Sequence, residues 1–166
     1  MVERLAILIA TGLGLGYVPV APGTAGSAMA LPIAWLLFQR GGFLGLSIGA
    51  VVTIPVAVWA SGRAEKHYGV HDSCHIVVDE VAGQLITFLL VPCTWPNLIV
   101  GFGWFRLFDS VKPWPANWAD REVKGGVGVV LDDIMAGIYA AGVTAACVHS
   151  GLVAGSVGWM RQLLFH

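Results

Sequence analysis

The distribution of charge along the chain limits its fold more than any single motif does. Four stretches, residues 5–39, 41–62, 81–105 and 134–160, are nearly free of Asp, Glu, Lys and Arg. Most charges fall in two islands, residues 63–80 and 106–133. Eight of the ten acidic residues lie between Asp72 and Asp133, so the chain is sorted into parts suited to lipid and parts suited to water. Composition agrees. Apolar residues make up 57% and charged residues 11%, against about 25% charge in a soluble domain. Mean hydropathy is +0.77. Water would not tolerate so much exposed apolar surface. The expected fold is all-α, a polytopic membrane helical bundle, with residues 1–166 as a single domain. The net charge of -1 and the lack of a basic stripe exclude a nucleic-acid partner.

The apolar runs differ in kind. Residues 43–60 have the length of one spanning helix, preceded by a turn at Gly41–Gly42 and kinked, without being ended, at Pro55. Gly45 and Gly49 form a G-x-x-x-G that permits close packing. Residues 134–155 are a second spanning candidate, with Gly137, Ala141 and Ala145 on one face. The other two runs are broken by "YVPVAPGTAGS" and "VPCTWPN". Such breaks at membrane depth require cover from protein or water, which implies half-helices, re-entrant turns or an interfacial loop. A chain that turns back at residues 92–97 brings both charged islands to one side. Their Lys and Arg residues place that side in the cytoplasm. The N-terminus superficially resembles a signal peptide, but Glu3 offsets Arg4 and glycine interrupts the apolar stretch, so cleavage is not expected. Cys74, Cys93 and Cys147 lack C-x-x-C spacing and read as small buried hydrophobes.

Chemistry concentrates in a few motifs. "IVVDEVAGQLI" sets Asp79 and Glu80 at a helix start, where acids ordinarily complement the dipole. "VVLDDIMAG" repeats the arrangement with Asp132 and Asp133 at the mouth of an apolar run, followed by small residues that admit another helix. Four carboxylates brought together need a cation, and hard oxygen donors favour Mg²⁺ or Mn²⁺ over zinc. In "FRLFDSVKPWP", Arg106, Asp109 and Lys112 follow one helical face at three-residue spacing, with Pro113 ending the helix. A guanidinium and an ammonium beside a carboxylate-bound metal make a phosphate receptor. The bland alternative is a snorkelling salt-bridge face with Trp104, Trp114 and Trp118 as an aromatic belt. In "APGTAGS", Thr24 or Ser27 can cap a helix near residues 27–38, and the loop's N–H groups suit an anionic oxygen. His67, His71 and His75 fall four apart, but Gly69 argues for a solvated loop rather than a zinc site. Asp72, beside His71, is near enough in sequence to approach the acids.

Taken together, "GYVPVAPGTAGS", "HDSCHIVVDEVAG", "FRLFDSVKPWP" and "GGVGVVLDDIMAG" strongly resemble the phosphatidylglycerophosphatase A family. They run in family order and cover most of residues 16–137. Val129–Val130 and Ser110 are mild departures, and the variable loop after Asp72 gives Cys74 and His75 no inherited role. The resemblance implies a Mg²⁺-dependent integral membrane phosphatase that converts phosphatidylglycerophosphate to phosphatidylglycerol. It implies a multi-pass protein of the bacterial inner membrane, with its site facing the cytoplasm. Asp79, Glu80, Asp109, Asp132 and Asp133 would hold one or two Mg²⁺ ions. Arg106 and Lys112 would neutralise the phosphate, with Gly23 and Thr24 adding hydrogen bonds. The nucleophile would be a carboxylate-activated water, or alternatively Asp109 itself. A rival reading from another class is an ion or divalent-metal transporter with the acidic cluster as its cation site.

Overall fold

The computed structural model describes residues 2–70 and 72–153, apart from the side chain of Asp120. His71 and the stretch of the fourth apolar run beyond Val153 lie outside them. The described residues are helical and contain no strand: α1 (Val2–Ala10), a short 3₁₀ turn (Leu15–Tyr17), α2 (Pro22–Tyr68), α3 (Val78–Thr87), α4 (Trp95–Val111), α5 (Ala116–Glu122) and α6 (Gly126–His149).

Helix α2 is a hairpin. Gly42 adopts φ 57° and ψ -147°, a region open to glycine almost alone, and the chain reverses there. Leu37 in the first arm packs on Gly49 in the second, and a Cβ at Gly45 would stand 2.7 Å from the Leu37 carbonyl oxygen. The G-x-x-x-G therefore serves closure of this hairpin. The arms, residues 22–41 and 43–68, are about 30 and 39 Å long. Pro32 and Pro55 are carried inside helix. Gly69 ends the second arm in the left-handed region, its N–H donating to the Glu65 carbonyl.

Helices α2 and α6 are both long and apolar enough to cross a membrane. Only 22% of the most apolar window of α2 is buried, against 56% for α6. The exposed residues of α2 include Leu44, Ile48, Val51 and Val52. A sheath of this kind suits hydrocarbon. The ten-residue α3 is too short to span, and the chain leaves it through residues 88–94 before returning as α4. Phe88 and Thr87 close on Gly101, and Asn97 Nδ2 donates to the Pro92 carbonyl inside the turn. The expected reversal is thus present, but it occupies residues 88–94, and residues 95–97 of the expected turn open α4. Trp35 stacks on Trp95 at 6.4 Å, well down the first arm of α2. Leu46, Phe88, Val91, Leu98 and Val148 form the core at that depth.

Three expectations need correction. Helix α2 begins at Pro22, and neither Thr24 nor Ser27 caps it: Ala21 is the N-cap, with no side-chain cap. Ser27 instead donates to the Gly23 carbonyl within the helix. Helix α6 starts at Gly126, so Asp132 and Asp133 sit in its second turn rather than at its mouth. Among the cysteines only Cys93 is buried, while Cys74 is exposed. The histidines form no zinc constellation among the described residues. His75 lies against Tyr17 and Tyr68, and His67 pairs with Glu3 at 3.4 Å.

Candidate active site

Close approach of α3 to α6 creates the site. Each acidic pair is followed by a glycine, Gly83 in α3 and Gly137 in α6. A Cβ on Gly83 would overlap the Asp133 carbonyl oxygen, and one on Gly137 would overlap the Gly83 carbonyl oxygen. The two backbones touch, which sets Asp79 and Glu80 of α3 beside Asp132 and Asp133 of α6. Helix α4 contributes the cations at its C-terminal end. The N-terminus of α2 closes the remaining side at Gly23, where a Cβ would overlap Glu80 Oε1.

The result is a cleft of about 310 Å³. Asp79, Glu80, Arg106, Asp109, Lys112, Asp132, Asp133 and Gly23 all line it, as do Asp72, Ser73 and Cys74. Thr24 is not among its lining residues. Asp72 does reach the acids, as its place in the sequence suggested. Cys74 enters by position on the loop, for which no sequence signal exists. Ala21, Asp72 and Lys112 hold positive φ of 50°, 47° and 45°. These non-glycine residues in left-handed conformation all border the cleft, where such strain commonly gathers.

The cations are firmly held. Arg106 Nη1 lies 2.8 Å from Asp109 Oδ2 and 3.7 Å from Glu80 Oε1. The same nitrogen donates to Ser27 Oγ at 3.2 Å, a contact that sequence reasoning missed because it assigned Ser27 to a cap. Lys112 Nζ lies 2.7 Å from Asp132 Oδ2. Among the described residues that line the cleft, six carboxylates face two cations. Asp79 and Asp133 are 4% and 3% exposed, and Asp79 Oδ1, Glu80 Oε2 and Asp133 Oδ1 are buried without a hydrogen-bond partner. Burial raises the Asp79 carboxyl well above the usual range, and the charge of Asp72 adds to this. Glu80 is likewise raised, by burial and then by Asp79 and Asp109, while Arg106 opposes the shift. An anionic phosphate would be repelled by this surface without a further positive charge.

The donor set fits a hard divalent cation: carboxylate oxygens, with no imidazole among the described residues that line the cleft. Among the described residues, no three His, Cys, Asp or Glu side chains stand close enough to cage an ion as they are. That is compatible with Mg²⁺, which keeps several waters and commonly takes one or two protein carboxylates together with substrate phosphate.

Comparison with known proteins adds an independent finding. Residues 8–148 match the family model described as PgpA, phosphatidylglycerophosphatase A. The chain is 40% identical over 144 residues to phosphatidylglycerophosphatase A of Escherichia coli, covering 82% of this chain and 79% of the relative. It is 32% identical over 134 residues to the Haemophilus influenzae protein of the same name, with coverages of 80% and 82%. A Bacteroides thetaiotaomicron protein, provisionally named a phosphatidylinositol-3-phosphatase, is 40% identical over 144 residues, with coverages of 81% and 88%. No solved structure matches the chain. None of these relatives is named as a transporter, and that reading gains no support. With the family motifs gathered around one cleft and the match spanning most of the chain, this protein belongs to the phosphatidylglycerophosphatase A family.

Proposed function

We propose that this protein hydrolyses the terminal phosphomonoester of phosphatidylglycerophosphate, releasing phosphate and phosphatidylglycerol, and that it requires Mg²⁺. The observation that carries the reading is the cleft itself: two anchored cations among six carboxylates, at the end of an apolar bundle. A phospholipid presents its phosphate at that depth, where charged headgroup meets hydrocarbon. Asp79, Glu80, Asp132 and Asp133, with Asp109, would hold the metal. Bound there, Mg²⁺ would supply positive charge for the phosphoryl oxygens and acidify a water.

The chain's own groups supply the rest. Arg106, oriented by Asp109, Glu80 and Ser27, presents its guanidinium to the equatorial oxygens, and Lys112 adds a second charge from the end of α4. Gly23 lets the Glu80 carboxylate lie against the start of α2 because it carries no side chain. Asp109 is a poor nucleophile while it accepts Arg106 at 2.8 Å, which favours water as the attacking group over an aspartyl intermediate. A cleft carboxylate, Asp79 or Asp133, takes the proton of that water as its oxygen bonds to phosphorus. The phosphorus–oxygen ester bond then breaks, and the departing alkoxide takes that proton from the carboxyl, giving the free hydroxyl of phosphatidylglycerol and restoring the carboxylate.

The test is phosphate release from phosphatidylglycerophosphate in detergent micelles, with Mg²⁺ or with EDTA. The wild type should lose activity in EDTA, and Asp79→Asn and Asp133→Asn should each lose it by about a hundredfold or more. Phosphatidylinositol 3-phosphate is the competing substrate, given the Bacteroides relative's provisional name. Faster release from that lipid would overturn the glycerophosphate assignment, and full activity in EDTA would overturn the metal requirement.

A further inference from the structure

A second cavity, of about 400 Å³, opens on the outer face between α4 and α6 and is lined mainly by Phe108, Pro113, Trp114, Ile138, Tyr139 and Gly142. It shares its framework with the catalytic cleft. At the end of α4, Asp109 and Lys112 border the cleft while Phe108 and Pro113 border this groove. In α6, the groove residues follow Asp133 by five to ten positions, which sets them roughly 8–15 Å further along the helix axis, toward the apolar end of the bundle. The groove therefore begins where the phosphate site ends and runs away from the charged end.

Its walls are apolar and fixed. The rings of Phe108 and Tyr139 stand 5.7 Å apart, and Tyr139 Oη donates to the Trp114 carbonyl at 3.1 Å. Trp114 is 81% exposed and Ile138 56%, so neither wall is covered by the rest of the described chain. A side chain placed at Gly142 would meet nothing within 4 Å, which leaves that stretch of the groove open. The volume lies in the ordinary range for a ligand site.

We propose that this α4–α6 groove holds one acyl chain of the lipid whose phosphate enters the cleft, making it the subsite that selects diacyl lipid over short-chain or water-soluble phosphomonoesters. The inference rests on the phosphatase reading above. Continuity names the occupant: a lipid bound by its phosphate between Arg106 and Lys112 has its glycerol beside the last turn of α4, and its nearest apolar path follows Phe108 and Tyr139.

Filling the groove tests this. Gly142→Phe places a ring in the open stretch, and Gly103→Phe is its control: Gly103 is an exposed position on α4 that also has nothing within 4 Å and lies outside the groove. Phosphate release is measured in mixed micelles from dioleoyl and dihexanoyl phosphatidylglycerophosphate, alongside the oligomeric state in detergent. Gly142→Phe should lower kcat/KM on the dioleoyl lipid about tenfold more than on the dihexanoyl lipid, and Gly103→Phe should keep the wild-type ratio. Equal ratios in all three proteins would overturn the subsite and leave bulk lipid as the occupant. A changed oligomeric state in Gly142→Phe with an unchanged ratio would overturn it in favour of a second copy of the chain. No release by wild type from either lipid would overturn the phosphatase reading itself, and the groove assignment with it.

Discussion

Arg106 shows how much of the site depends on single contacts. One nitrogen of its guanidinium reaches Ser27, Asp109 and Glu80, which belong to α2, α4 and α3. Ser27→Ala removes a hydrogen bond worth about 1 kcal/mol of stability, so the melting temperature should fall by a few degrees and kcat/KM by about fivefold at most, because Arg106 keeps Asp109 and Glu80. Arg106→Lys should cost far more, about a hundredfold, because an ammonium cannot reproduce the planar fork. Steady-state kinetics on both variants would check the order, and a Ser27→Ala loss as large as that of Arg106→Lys would show that Ser27 touches substrate. Asp133 permits a test that does not read activity. In EDTA, Asp133→Asn should melt no lower than wild type, since the amide removes a buried charge whose Oδ1 has no hydrogen-bond partner. Added Mg²⁺ should raise the melting temperature of wild type by several degrees and that of the variant by much less. An equal rise in both proteins would remove Asp133 from the metal site.

At the scale of elements, the contact of α3 with α6 is the joint on which the acid cluster depends. Gly83→Ala puts a methyl group into the Asp133 carbonyl and against the Phe105 ring, and because the Asp133 carbonyl is backbone, the helices themselves must separate. The expected cost is about 1–3 kcal/mol, with a loss of activity larger than the unfolded fraction explains, because Asp79 and Asp133 move apart. Gly103→Ala, with open space around it, should be neutral or slightly stabilising. Thermal melts and kcat measured together would distinguish the two, and normal activity in a folded Gly83→Ala would show that the acids tolerate separation. Much of this joint was legible in the sequence, since two acids followed by an Ala-Gly pair occur twice. The reversals at Gly42 and before α4 were legible too, from glycine and proline chemistry. The start of α6 was not, because the apolar run put Asp132 and Asp133 at its mouth, while the helix begins at Gly126. A Cβ at Gly126 would overlap the Val58 carbonyl oxygen, so tertiary contact rather than propensity sets that boundary. Ser27 was misread for a similar reason: its partner Arg106 lies 79 positions away, beyond the reach of any local pattern.

For the whole molecule, charge asymmetry makes a prediction about orientation. Arg63 and Lys66 near the end of α2, Lys112 after α4, and Arg121 and Lys124 around α5 all belong to the end that carries the cleft, while Arg40 stands beside the Gly42 turn at the other. The bias toward basic residues on the cytoplasmic side predicts a cleft that faces the cytoplasm and a turn that faces out. The same arrangement lets the short α3 and the turn after it enter from the cleft side and return, so Asp79 and Asp109 share one compartment. Single cysteines test this in a background with Cys74, Cys93 and Cys147 replaced by alanine. Gly41→Cys occupies an exposed position with nothing within 4 Å of its Cβ, and Lys124→Cys lies on the cleft side just before α6. In intact cells a membrane-impermeant maleimide should label Gly41→Cys and spare Lys124→Cys until the membrane is permeabilised. The reverse pattern would turn the cleft outward and require its lipid to be presented from the other leaflet. Labelling of both positions from outside would mean that the α2 hairpin does not cross, since two arms of about 30 and 39 Å cannot expose both ends to one compartment while spanning the bilayer between them.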